Sequence, residues 1–103
     1  MKGREYEDLA ARYLKSKGYQ ILGRNLRSPY GEIDILAEFE GRKVIVEVKG
    51  SETFFPAEKV TPHKLSKIIR TAYEVLGEEP FSIEVVVVYR GKVYHYKDLG
   101  LEL

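Results

Sequence analysis

Two short segments carry the residues best suited to chemistry, Gly31-Glu32-Ile33-Asp34 and Val46-Glu47-Val48-Lys49. Each alternates apolar and charged residues, so a strand conformation sends the charged side chains to one face. Glu40-Gly41, between them, reads as the turn of a hairpin. With that loop Phe39 pairs with Arg42. The same register sets Asp34 opposite Glu47 and Glu32 opposite Lys49. Directly opposed side chains have Cβ atoms roughly 4.5–5.5 Å apart, where like charges repel. Two carboxylates that close call for a proton or a cation between them. Carboxylate oxygens suit Mg²⁺ or Mn²⁺, ions that bind one or two protein carboxylates together with substrate phosphate. Such an ion polarises a phosphate, and a neighbouring lysine stabilises the charge that develops. Alternation alone fits an ordinary solvated face as well, with Glu32 and Lys49 as an ion pair.

Glu7 adds a third acid. It precedes Ala10 by three residues and Leu14 by seven, so on a helix it lies along the apolar stripe. A carboxylate there either complements the positive end of the helix or points into a site.

These residues need elements to position them. Residues 4–17 read as an amphipathic helix, with Tyr6, Leu9, Ala10, Tyr13 and Leu14 at helical spacing and Gly18 as terminator. Residues 19–26 read as a strand, 27–31 as a loop around Pro29, and 32–39 and 42–49 as the hairpin. Ile33, Ile35 and Ala37 are expected to share the core face of one hairpin strand, and Val44, Val46 and Val48 that of the other. A long loop, 50–60, holds Phe54 and Phe55. These two residues either stack on bases, cover the core or form a dimer contact. Thr61 as N-cap and Pro62 at the first position start a second helix, whose buried stripe is Leu65, Ile68, Ile69, Ala72, Tyr73 and Leu76. Residues 82–90, containing Val85-Val86-Val87-Val88, read as a strand buried on both faces and central in its sheet. Residues 93–96 read as an edge strand. His63 and His95 are expected in solvent, and most of the eight tyrosines on core-facing positions.

Composition bounds the rest. A chain of 103 residues fits one domain, 1–103, and a hydrophobic share of 44% is that of a globular protein. With no cysteine there is no disulfide framework and no thiolate metal site. The start of the chain lacks the apolar core of a signal peptide, and no apolar run reaches membrane-spanning length. A soluble, cytoplasmic protein without a membrane partner is expected. Residues 1–31 hold seven Lys or Arg against three Asp or Glu. That basic excess beside an acidic patch suits a polyanion held over a metal. Arg24, Arg27, Lys59, Lys64, Lys67 and Arg70 are the candidate phosphate contacts.

Glu47-Val48-Lys49, preceded by Asp34 and a helical Glu7, resembles the motif of the PD-(D/E)xK nuclease superfamily. Nearly the whole chain is similar to the YraN-like family of predicted endonucleases, relatives of archaeal Holliday-junction resolvases. The opening helix from Glu7 to Leu14 with Gly18-Tyr19 carries the first block of that resemblance. Asn25, Arg27 and Gly31-Glu32-Ile33-Asp34 carry the second, Val46-Glu47-Val48-Lys49 the third, and Val60-Thr61 with Lys64 the fourth. There are two departures. Tyr6 stands where the family often has Gly before the helical glutamate, and Gly50-Ser51 where it often has Thr-Arg after the lysine.

The resemblance implies an α/β fold with a restriction-endonuclease-like core, α-β-β-β-α-β, in which helices flank a mixed central sheet. It implies Asp34 and Glu47 as ligands of Mg²⁺ or Mn²⁺, Glu7 as a further active-site acid reaching the metal directly or through water, and Lys49 as the catalytic lysine. The expected function is metal-dependent endonucleolytic hydrolysis of DNA, on branched DNA among other forms, by a monomer or a homodimer. The alternative is a non-catalytic nucleic-acid-binding module that keeps the fold.

Overall fold

The computed structural model describes residues 3–56 and 61–97. Helix α1 (Gly3–Ser16) forms because Tyr6, Ala10, Ala11 and Leu14 bury one stripe. It ends at Gly18, whose φ of 95° lets the chain reverse. Tyr19 then donates its N–H back to the Leu14 carbonyl at 3.0 Å. Strand β1 (Gln20–Ser28), β2 (Gly31–Phe39) and β3 (Arg42–Ser51) follow as an antiparallel meander. Helix α2 (Pro62–Leu76) crosses over to β4 (Phe81–Tyr89), which pairs with β3 in parallel, and β5 (Lys92–Tyr96) closes the sheet antiparallel to β4. The sheet runs in chain order from β1 to β5. A parallel step needs a long crossover, and α2 supplies it.

Alternate residues of β3 go to opposite cores. Val44 and Val46 pack with Tyr6, Ala10 and Leu14 of α1, whereas Ile45 packs with Leu65, Ile68 and Ala72 of α2. The two helices therefore cover opposite faces of one mixed sheet, the expected α/β architecture. Among the described residues no helix is long and apolar enough to cross a membrane.

Four sequence expectations need correction. The strand from 19 to 26 extends to Ser28, so Arg27 is a strand residue, and the predicted loop shrinks to a turn at Pro29-Tyr30. Ile33, Ile35 and Ala37 do not share a face, because Ile33 packs beneath α2 while Ile35 and Ala37 pack beneath α1. The sheet's middle strand is β3, with β4 next to it. Ile83 through Val88 of β4 are nevertheless all buried, as expected. Tyr73 leaves the stripe of α2 and is 56% exposed. Lys59 and Val60 lie outside the described residues.

Candidate active site

The turnover of β2 between Ile33 and Ile35 happens at Asp34. On one side Asn25 of β1 has φ 52°, a left-handed conformation that asparagine tolerates better than most residues, between the paired Arg24 and Leu26. On the other side the β2–β3 ladder stops at Ile35 and Val46. Beyond that point β3 keeps its pairing with β4, through Glu47–Val85 and Lys49–Val87. Side chains replace the missing rungs between β2 and β3. Val48 N–H donates to Asp34 Oδ2 at 2.8 Å, and Asp34 N–H donates to Glu47 Oε2 at 3.4 Å. The hairpin register from Phe39–Arg42 to Ile35–Val46 is the one read from the turn. Its continuation is not a ladder, so Glu32 does not face Lys49 across it. Glu32 pairs instead with Arg27 of β1, with Arg27 Nε 3.8 Å from Glu32 Oε2.

The two carboxylates are partly buried and strain against ionisation. Burial pushes the Glu47 carboxyl up to about 8, with the Asp34 charge adding to it and Lys49 opposing. Asp34 is raised too, first by burial and then by the charges of Glu7 and Glu32, against the Val48 N–H that holds its anion. Glu7 is thus an electrostatic neighbour of Asp34. It is pinned by Asn25 Nδ2 at 3.0 Å, with Arg24 Nη2 at 3.7 Å. Arg24 also holds Asp8 at 2.8 Å, so its guanidinium faces the acids of α1. Arg27 is 80% exposed.

Glu47, Lys49, Glu32, Lys64 and Lys67 line an open cleft of about 210 Å³ between the sheet and α2. Thr61 caps α2 by accepting from Lys64 N–H at 3.2 Å, and Pro62 occupies its first turn. The cleft therefore receives two lysines from the first turns of this helix. Asp34 stands behind this lining, bonded to it through Val48.

Among the described residues no three His, Cys, Asp or Glu side chains converge as a ready-made ligand set. The donors present still suit a hard cation. Two carboxylates penalised for sharing a buried site have hydrogen bonds on Asp34 Oδ2 and Glu47 Oε2, and Mg²⁺ or Mn²⁺ completes its shell with water and phosphate.

Several contacts, around the site and beyond it, escaped sequence reasoning. Asn25 belongs to the resemblance, but its left-handed turn and its grip on Glu7 could be guessed only from asparagine's tolerance of that conformation. Tyr6 and Gly50, the two departures from the family pattern, occupy one space: a Cβ on Gly50 would overlap the Tyr6 ring. The Tyr6 hydroxyl also donates to Glu52 at 3.0 Å. His95 is not in solvent. Its side chain is 7% exposed, with Nε2 2.6 Å from Glu84 Oε1, which also accepts from Tyr19 at 2.8 Å.

Residues 6–88 match the model of a family described as "Uncharacterised protein family UPF0102". The chain belongs to this family, UPF0102, the YraN family. A UPF0102 protein of Sulfurihydrogenibium is 41% identical over 105 residues, covering 94% of this chain and 91% of that protein. One from Thermus thermophilus is 39% identical, covering 100% and 97%. Among solved structures, Hjc of Archaeoglobus fulgidus, a Holliday junction resolvase, superposes with a TM-score of 0.62. It shares 16% identity, and the match covers 92% of this chain and 76% of that one. The UPF0102 chain thus has the restriction-endonuclease-like fold of that resolvase.

Proposed function

We propose that this UPF0102 chain is a divalent-metal-dependent endonuclease that hydrolyses DNA phosphodiester bonds, branched DNA included. The observation that carries the reading is the Asp34–Glu47 pair. Two partly buried carboxylates meet where the β2–β3 ladder ends, and Lys49 follows on the same strand face in a cleft walled by Lys64 and Lys67. The resolvase fold supports it.

Mg²⁺ or Mn²⁺ held by Asp34 and Glu47 would supply Lewis acidity at the phosphate. The protein's own groups do the remaining work. Lys49 lies two residues past Glu47 and stabilises charge growing on the phosphoryl oxygens. Lys64, Lys67 and Arg27 hold the DNA backbone. Glu7, fixed by Asn25 and Arg24, adds negative potential behind Asp34 and so favours a cation there.

Calorimetry with Mn²⁺ tests the site, and a panel of duplex, flap and four-way-junction DNA tests the substrate. The proposal expects one binding heat that Asp34→Ala with Glu47→Ala abolishes, together with Mn²⁺-dependent cutting. DNA binding without either heat or cutting would instead mark a binding module on a nuclease fold.

A further inference from the structure

A second groove adjoins the cleft. It has a volume of about 350 Å³ and is lined by Pro29, Tyr30, His63, Ser66, Lys67 and Arg70. Lys67 lines both, so the two are neighbours along α2. Among the described residues no carboxylate lines the second groove, which sets an aromatic ring beside two cations. Tyr30, at the tip of the β1–β2 turn, is 42% exposed, with the Arg70 guanidinium 5.4 Å from its ring centroid.

The turn is held rigidly. Tyr30 N–H donates to Ser28 Oγ at 3.0 Å, and Ser28 Oγ shares a hydrogen bond of 2.9 Å with Thr71 Oγ1. Thr71 is fully buried and donates to the Lys67 carbonyl at 3.0 Å. This hydroxyl chain ties the tip of the β1–β2 turn to the same helix that presents Lys67 and Arg70.

We propose that Tyr30 is a stacking platform for an unpaired nucleobase, with Lys67 and Arg70 holding the adjacent phosphates of a single-stranded DNA segment that leads into the cleft. Positions 64, 67 and 70 rise by about 9 Å along the helix, enough to follow a strand past the cleft rather than hold one phosphate. Stacking accepts any base, so the subsite selects unpaired strand over sequence. The inference rests on the nuclease reading for its direction, because the strand is placed relative to that cleft.

The test leaves the metal out. Fluorescence anisotropy in EDTA compares labelled oligo(dT) with an oligonucleotide of equal length and charge built from abasic units. The wild type is expected to bind oligo(dT) about tenfold more tightly. Tyr30→Ala and Tyr30→Leu should erase that preference, Tyr30→Phe should keep it, and Arg70→Ala should weaken both ligands together. Equal binding of the two by the wild type, or a preference surviving in folded Tyr30→Leu, overturns the proposal. A base preference that depends on Tyr30, in a protein that cuts nothing with Mn²⁺, would sink the nuclease reading and leave the stacking site standing.

Discussion

Glu47 is the residue at which function and stability oppose each other. Below its ordinary pKa of 4.5 the carboxyl is protonated in both the folded and unfolded chains, and its burial makes no pH-dependent difference. Between that value and about 8 the unfolded chain ionises first, so unfolding gains as pH rises. Above about 8 the full penalty applies, on the order of 5 kcal/mol, and the burial of Asp34 acts in the same direction. With divalent ions chelated, the wild type should lose stability from pH 5 to 8.5. Glu47→Gln should flatten that fall and be the more stable protein at pH 8.5. Urea midpoints across that range check this, and parallel curves for the two proteins would remove the strain from the account. The closeness of Asp34 and Glu47 was legible in the sequence from period-two spacing and the hairpin turn, whereas the roles given to them, to Lys49 and to Glu7 come from the family resemblance. The contact of His95 with Glu84 was not legible, because a pair 11 residues apart on neighbouring strands has no local pattern to mark it.

At the scale of elements, the contact between Tyr6 and Gly50 sets how α1, carrying Glu7, sits on β3, carrying Glu47 and Lys49. Filling Gly50 overpacks the joint, and emptying position 6 leaves a hole. Gly50→Thr alone should destabilise by about 1–3 kcal/mol, and Tyr6→Gly alone by about 3–5 kcal/mol. The double variant should be more stable than the sum implies, with a coupling of about 0.5–3 kcal/mol. Denaturant unfolding of the four proteins closes the cycle, and strict additivity would mean that the two positions do not share space. The helices and strands themselves were readable because stripes, caps and turn residues are local. The facing of β2 was not. Alternation predicts that Ile33 and Ile35 point the same way, and only the broken pairing around Asp34 turns one of them over. The strand is irregular at the point where it carries its acid.

At the scale of the molecule, the sheet divides two cores and the candidate site lies on the seam between them. Asp34 and Glu47 sit where β2 leaves β3, Glu7 arrives from the helix on one face, and the lysines of α2 arrive from the other. Glu7 and the lysines of α2 therefore come from opposite layers, with Asp34, Glu47 and Lys49 on the sheet between them. The layer order follows from the sequence of elements, whereas the closeness of the layers at this one end does not, because it depends on the splay of two strands. The central claim is that this junction cuts DNA. Single-turnover cleavage of a labelled four-way junction and its parent duplex, with Mg²⁺ and then with EDTA, tests it directly. Wild type should cut only with Mg²⁺, Lys49→Ala should be slower by about 10²–10³-fold, and Asp34→Ala should show no cutting. Cleavage that persists in EDTA, or that Asp34→Ala and Lys49→Ala leave unchanged, contradicts the account.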